Sequence, residues 1–310
     1  MIIGGGPAGL GAAIFGCRKH LHTALLEKTD HFGGHLWHSY GSKPVLDYPG
    51  FPEGILGREL ARRLAEQARR EGAEMHPGRT VNRVEKNDPG FRVYTAEGEI
   101  FDALCLVVAI GTVPRRLGIP GEREFTDRGV YYCFNSPHNF RDRRAVVVGG
   151  GNSALEVALG LKEVAREVTL VHRSTFRADE TLQHEFLRAG IPYLLGWVPE
   201  AISGNSQGPE SLVIANPSTG ERREIPLDAL IVCAGLAPSA GYLEDLGLGF
   251  TSRGYVAVNQ DQETSVPGVL AAGDITGGVA RLATAIGQGV TAAHTAHRYI
   301  RSRQGGRAPG

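Results

Sequence analysis

Two glycine clusters are the strongest chemical signals in the chain. Residues 4–9 read GGGPAG and residues 149–154 read GGGNSA; each follows an apolar stub and opens a run spaced like a helix. In Gly4-x-Gly6-x-x-Gly9, one glycine makes a tight turn, the next lets backbone approach a pyrophosphate, and the third lets helix and strand pack closely. A diphosphate then sits against free N–H groups at the helix N-terminus, where Pro7 and Ala8 lie. Glu27, followed by Lys28, stands 23 residues past Gly4, where a carboxylate accepts hydrogen bonds from ribose hydroxyls. The second cluster places Gly149, Gly151, Asn152 and Ser153 before Ala154, at the third small position. The chain 23 residues past Gly149 is basic: His172-Arg173, then Arg177. A carboxylate there would repel a ribose 2′-phosphate, whereas arginine binds it through charge-assisted hydrogen bonds. The two clusters therefore ask for different nucleotides, one without the extra phosphate and one suited to NADPH, with NADH the alternative. The bland readings are a surface carboxylate for Glu27 and a polar loop for residues 172–177.

Elements must hold these loops at strand ends. Residues 2–13 (IIGGGPAGLGAA) and 147–158 (VVGGGNSALEVA) resemble each other at an offset of 145, far beyond solenoid periods, so two nucleotide-binding units are expected. Only residues 1–3 precede Gly4, short for a buried strand of the usual 5–6 residues. A helix is expected to about residue 20, a strand at 23–27, and an amphipathic helix at 57–71 with Leu60, Leu64 and Ala68 on one face. The alternation at 91–101 predicts a hairpin, and 103–111 and 229–235 predict buried strands. The stretch 113–121, with two prolines and two glycines, is a hinge candidate. The domain reading is 1–113 and 241–310 for one unit, with 114–240 inserted, and a frayed end at 301–310.

Composition excludes several classes. Lysine plus arginine and aspartate plus glutamate are both 33, so no basic excess favours nucleic acid. The longest apolar run, 103–110, would have to more than double to span a bilayer. Four cysteines with no Cys-x-x-Cys and no signal-peptide pattern at the start lead to a reduced cytoplasm as the expected compartment. The 43 glycines are about twice the average share (~7%) and fall in clusters.

GGGPAG, HFGGHL (31–36), LDYPGFP (46–52), VVGGGNSA, VHR with a following FRA, and VLAAGD (269–274) together resemble the low-molecular-weight thioredoxin reductase family, which includes the thioredoxin-reductase-like ferredoxin/flavodoxin–NADP reductases. The resemblance covers essentially the whole chain in order. It implies an α/β fold of two Rossmann-like, three-layer ββα domains, FAD held by the discontinuous domain, NAD(P)H by the inserted one, and a homodimer. By resemblance, Gly4, Gly6 and Gly9 face the FAD diphosphate and Glu27 the adenosine ribose. Gly34, His35 and Leu36 approach the flavin, and Asp47 stands where thioredoxin reductases commonly carry Asn beside it. Gly111 is assigned to FAD, Gly273 and Asp274 serve its ribityl and phosphate end, and Arg281, Leu282 and Ala283 the pyrimidine edge. His31, His35 and His38 have a spacing that would suit metal ligands on a helical turn. Gly33 and Gly34 argue against a helix there, so no metal is assigned. His294 and His297 are read as packing or dimer-surface residues.

Thioredoxin reductases carry Cys-x-x-Cys after a Gly-Val-x-Tyr sequence. Here residues 129–138 read GVYYCFNSPH, so Cys133 is present and Ser136 stands at the second thiol's position. A serine hydroxyl forms no disulfide. Cys17, Cys105 and Cys233 each fall inside an expected helix or strand, where a small buried hydrophobe is the default reading. The segment also appears one residue shorter than the usual thioredoxin reductase form, and Asp47 resembles the ferredoxin/flavodoxin–NADP reductases. Against them, the chain lacks their C-terminal tail, and HRS replaces the common His-Arg-Arg. The reading is an FAD-dependent NAD(P)H oxidoreductase without a dithiol, transferring hydride from nicotinamide to flavin and electrons to ferredoxin or flavodoxin, a quinone or oxygen. Two alternatives stand: Cys133 as a lone thiol with His138 as acid, and a non-enzymatic flavin redox sensor. No residue is assigned a firm catalytic role; Cys133, His138 and Asp47 are the weak candidates.

Overall fold

A computed structural model describes residues 1–132, 134, 137–238 and 241–303. The chain divides into two compact units, Met1–Val113 with Ala237–Gly310, and Pro114–Leu236.

In the first unit five parallel strands run in the order Val269–Ala271, Leu106–Val108, Ile2–Ile3, Ala24–Leu26, Glu74–His76. Short as it is, Ile2–Ile3 is the central strand, bonded on both sides. Successive side chains of a strand point to opposite faces, and the cores follow that alternation. Ile2, Leu25, Val107 and Leu270 pack with the helices α1 (Pro7–Arg18), α3 (Gly57–Arg70) and α6 (Leu282–Arg303), α2 being the short His35–His38. Ile3, Leu26, Leu106, Val108 and Val269 pack with a three-stranded antiparallel sheet, Val81–Asn87, Gly90–Thr95 and Ile100–Ala103. The result is helices, parallel sheet, antiparallel sheet: three layers.

The second unit repeats the plan. Its parallel strands are ordered Val130–Tyr131, Ala229–Val232, Arg144–Val148, Glu167–His172, Tyr193–Leu195. Ala145, Val147, Leu170 and Ile231 pack with α4 (Asn152–Lys162) and α5 (Glu180–Ala189). Val146, Val148, Val171 and Leu230 pack with the antiparallel strands Val198–Asn205 and Gly208–Ala215.

Several sequence expectations change. The helix expected to residue 20 ends at Arg18, because the chain turns through His20 at φ +58°. The 91–101 hairpin gains a third strand, Val81–Asn87, whose polar outer face hid it from the alternation. Gly33 and Gly34 do not prevent a helix; α2 starts directly after them, its N-cap being Gly34. The apolar runs at 103–111 and 229–235 contribute shorter strands, and Cys233 lies just past Val232 rather than inside the strand. At the C-terminus α6 continues through Arg303, so 301–303 are helical; residues 304–310 lie outside the described ones. The amphipathic face Leu60, Leu64, Ala68 is buried as read. Among the described residues no helix is long and apolar enough to cross a membrane.

Candidate functional site

In open parallel sheets, ligands bind outside the carboxyl ends of the strands. Across that edge of the first unit the chain sets out, in sheet order, Gly273-Asp274, residues 109–111, the loop Gly4–Gly6, and Glu27. Three segments converge on the N-terminus of α1. A Cβ on Gly9 would collide with the Gly4 carbonyl oxygen, one on Gly34 would lie 3.1 Å from the Gly6 Cα, and one on Gly273 2.8 Å from the Ala8 Cβ. The Gly33 N–H also donates to the Gly5 carbonyl at 2.7 Å. At Gly6, the N-cap of α1, a Cβ would meet nothing within 4 Å, and no side chain caps the helix. Close walls around an open helix N-terminus with uncommitted N–H donors are what a diphosphate requires. The residues fit FAD.

Glu27 is 7% exposed and fixed on the loop side. Its Oε2 accepts from the Gly5 N–H at 2.7 Å, and its Oε1 from the Thr29 N–H and hydroxyl, both at 2.9 Å. Oε1 has both acceptor sites occupied, but Oε2, with one bond, keeps a second lone pair, so a ribose hydroxyl can still be bound there. Thr29 escaped the sequence reading; its signal is a hydroxyl two residues past the acid. Of the other assigned residues, Lys28 and Ala283 are exposed and Asp274 is half-buried. Gly111, at φ +64°, has open space at its Cβ position. Leu36 and the partly buried Leu282 belong to the core, so Leu36 could meet a cofactor only through backbone. The fold brings Asp47 and Arg281 together: Oδ2 and Nε lie 3.8 Å apart. His35 Nδ1 lies 3.0 Å from the Ser39 hydroxyl, while the His31 ring packs 4.3 Å from that of Trp37. On α6, His294 faces Phe15, and burial, with Arg301 and Lys19, pushes His297 down.

The second glycine loop is built alike. Gly149 bonds to Val171 O, and a Cβ on Gly151 would meet nothing within 4 Å. His172 departs from the sequence reading. Its ring is buried beneath Gly150, where it would collide with any Cβ, and its Nε2 is 3.2 Å from the Ser174 hydroxyl. Burial first, then the charges of Arg177 and Arg173, lower its pKa, so it stays neutral and lends no charge to a phosphate. Arg173 and Arg177 are exposed, and no carboxylate among the described residues lies within salt-bridge distance of either. Asn152 is engaged with Asp179, which the sequence reading did not single out. Ser153 is exposed and Ala154 buried.

Cys133 and Ser136 lie outside the described residues; His138 is exposed on the short helical turn Pro137–Phe140. Cys105 is 3% exposed, and burial pushes its thiol up to about 11. Cys17 sits in α1, its thiol also raised, chiefly by burial. Cys233 Sγ lies 3.9 Å from Ser153 O. A further buried acid was missed. Glu122, 1% exposed, accepts at 2.7 Å from each of Leu117 N–H, Gly118 N–H and the Tyr132 hydroxyl.

The family model described as pyridine nucleotide-disulphide oxidoreductase matches residues 1–289. The chain is 34% identical over 308 residues to a thioredoxin reductase of Treponema pallidum, covering 98% of this chain and 97% of that protein. It is likewise 34% identical over 310 residues to a ferredoxin–NADP reductase of Sulfurisphaera tokodaii, covering 97% and 92%. The structure of Lactococcus lactis thioredoxin reductase superposes with a TM-score of 0.87 at 33% identity, over 97% of this chain and 98% of that one. With two Rossmann-like units, two phosphate loops and these relatives, the chain belongs to the pyridine nucleotide-disulphide oxidoreductase family: it has the thioredoxin-reductase-like fold and is an FAD- and NAD(P)H-dependent oxidoreductase.

Proposed function

We propose that this enzyme takes electrons from NADPH and delivers them to a small electron-transfer protein of the ferredoxin or flavodoxin kind, not through a dithiol of its own. The observation that carries the reading is Ser136, three residues after Cys133, where a second thiol would stand. Among the remaining cysteines, Cys17, Cys105 and Cys233, none stands at Cys-x-x-Cys spacing from Cys133, and Cys105 is buried. A ferredoxin–NADP reductase among the relatives supports the choice of acceptor.

In this reading FAD, when bound, supplies the flavin that accepts hydride from the nicotinamide. The chain's own residues bind and orient. Gly4, Gly6, Pro7, Ala8 and Gly9 hold the FAD diphosphate, and Glu27, fixed by Gly5 and Thr29, holds the adenosine ribose. Gly34, His35, Asp47, Gly111, Gly273, Asp274 and the 281–283 segment line the flavin end. Gly149–Ala154 hold the NADPH diphosphate, and the exposed Arg173 and Arg177 bind the 2′-phosphate. Two charge-assisted hydrogen bonds favour NADPH over NADH by about ten- to hundredfold in KM. The enzyme works in the cytoplasm as a homodimer.

The test is anaerobic. Protein loaded with FAD is mixed with NADPH or NADH while flavin bleaching is followed; ferredoxin, flavodoxin, a quinone, oxygen and a disulfide are then offered. Bleaching by NADPH, followed by rapid reoxidation by ferredoxin or flavodoxin, is expected. Failure of both nicotinamides to bleach the flavin defeats the reading and favours a sensor. Reoxidation by the disulfide alone, abolished in Cys133→Ser, would instead assign a lone-thiol reductase.

A further inference from the structure

Asp179 occupies the N-cap position of α5, where aspartate normally accepts a hydrogen bond from the first turn of its own helix. Here it makes no such cap bond. Its Oδ2 instead accepts from Asn152 Nδ2 at 2.6 Å, and its backbone N–H donates to Asn152 Oδ1 at 2.9 Å. The two groups satisfy each other in a closed pair. Asn152 is the first residue of α4, directly after Gly151. Two residues before Asp179, the Arg177 N–H donates to the Gly150 carbonyl at 2.7 Å. Three hydrogen bonds thus join the glycine loop to the segment carrying Arg173 and Arg177.

We propose that Asp179 is a positioning residue for the dinucleotide site: its pairing with Asn152 fixes the distance between the phosphate loop and the arginines that hold the ribose 2′-phosphate. The inference rests on the assignment of NADPH to this loop. Without the pair, the Arg177–Gly150 backbone bond is the only hydrogen bond among the described residues that joins the two segments, and Arg177 must be ordered at the moment of binding, at an entropic cost. NAD⁺ engages the phosphate loop but has no 2′-phosphate, so it is insensitive to that ordering. The carboxylate's charge acts the other way. An anion beside a phosphate site repels the ligand, so a purely electrostatic Asp179 would weaken NADP⁺ binding in the wild type, and its removal would tighten it.

The opposite signs make the test decisive. Calorimetric titration of the FAD-loaded full chain with NADP⁺, NAD⁺ and 2′,5′-ADP is run on wild type, Asp179→Asn, Asp179→Ala, Asn152→Ala, the double alanine variant and Arg177→Ala. Asparagine keeps the acceptor and the backbone donor while losing the charge, so Asp179→Asn is expected to bind NADP⁺ within about threefold of wild type. Asp179→Ala is expected to bind NADP⁺ and 2′,5′-ADP about tenfold more weakly, with NAD⁺ changed less than about twofold. Asn152→Ala breaks the same pair without touching the N-cap of α5, so it guards against a folding artefact. The two alanine losses must be non-additive in the double variant. The proposal is overturned if both Asp179 variants tighten NADP⁺, if both weaken it equally, if neither changes it, or if NAD⁺ weakens in parallel. Arg177→Ala separates the two levels: no loss of NADP⁺ there refutes the site assignment itself, whereas a loss there with an inert Asp179→Ala refutes only the positioning role.

Discussion

Replacing Glu122 tests how the end of the linker into the second unit is held. The carboxylate is 1% exposed and receives three hydrogen bonds of 2.7 Å, from Leu117 N–H, Gly118 N–H and Tyr132 O–H. Glu122→Ala strands all three donors. Each buried, unpaired donor costs about 1–3 kcal/mol; water entering the vacated space relieves part of the sum, so the expected loss is about 3–5 kcal/mol. At roughly 4 °C per kcal/mol for a unit of this size, its melting point falls by about 12–20 °C. Glu122→Gln keeps the oxygen that serves Leu117 and Tyr132 but turns an NH₂ toward the Gly118 N–H, so it should lose about 1–3 kcal/mol. The pH dependence has a definite sign. Burial alone would raise the Glu122 pKa, but the bonds from Tyr132, Leu117 and Gly118 outweigh it and hold it below the usual carboxylate value. A depressed acid contributes stability that is full above the unfolded pKa of about 4.3 and is lost as pH falls through the folded value. The Tyr132 phenol, pushed up to about 12 by burial and by Glu122, stays a donor throughout that range. The assay is urea unfolding between neutral and acid pH, with amide hydrogen exchange read at Leu117 and Gly118. An alanine variant within about 1 kcal/mol of wild type, with exchange at those amides unchanged, would refute the reasoning.

Gly6→Ala should leave the melting point of the FAD-free chain unchanged, because its Cβ meets nothing within 4 Å, yet cut FAD retention more than about tenfold. Gly9→Ala should instead fail to fold or melt far lower, since its Cβ collides with the Gly4 carbonyl; equilibrium dialysis and calorimetry distinguish the two. Glu27→Gln should weaken FAD binding and expose a mismatch, its NH₂ facing the Gly5 or Thr29 N–H; a variant that retains FAD like wild type would contradict the ribose role. Cys133→Ser should leave NADPH-driven reduction of ferredoxin or flavodoxin unchanged, measured as acceptor turnover.

The parts of the fold legible in the sequence are those written as periodicity or as backbone necessity. Gly4 and Gly9 could be placed because no side chain fits against the Ala109 and Gly4 carbonyls. The α3 face was legible because Leu60, Leu64 and Ala68 recur at helical spacing. What escaped was pairing across the chain. Val81–Asn87 alternates poorly because only Val81 and Val84 are buried on it, so it becomes a strand through its neighbours. Glu122 and Asp179 belong to no motif; the Tyr132 hydroxyl lies 10 residues from Glu122 and Asn152 lies 27 from Asp179, and spacing alone does not announce such contacts. The α2 helix was missed because glycines count against a helix interior, whereas Gly33 and Gly34, both at positive φ, lie before its first turn.

The two units solve one packing problem with opposite chemistry. In each, the residue at the end of the parallel strand that follows the loop's helix lies against the middle glycine of the loop: Glu27 against Gly5, His172 against Gly150. In the first unit that slot holds an acid whose Oε2 bonds the loop and can still receive a ribose hydroxyl. In the second, the imidazole is buried and kept neutral by burial and by the arginines beside it, so the slot neither attracts nor repels a phosphate. Under the proposed assignment, the strand-end residue therefore chooses the nucleotide in the first unit but only permits it in the second. With NADPH proposed there, preference for a 2′-phosphate comes from the exposed Arg173 and Arg177, and hence from whatever holds their segment in place. Under the proposal the specificity of the site thereby moves outward, from the strand end that motif spacing identifies to a surface segment tied down by the Arg177–Gly150 and Asn152–Asp179 hydrogen bonds.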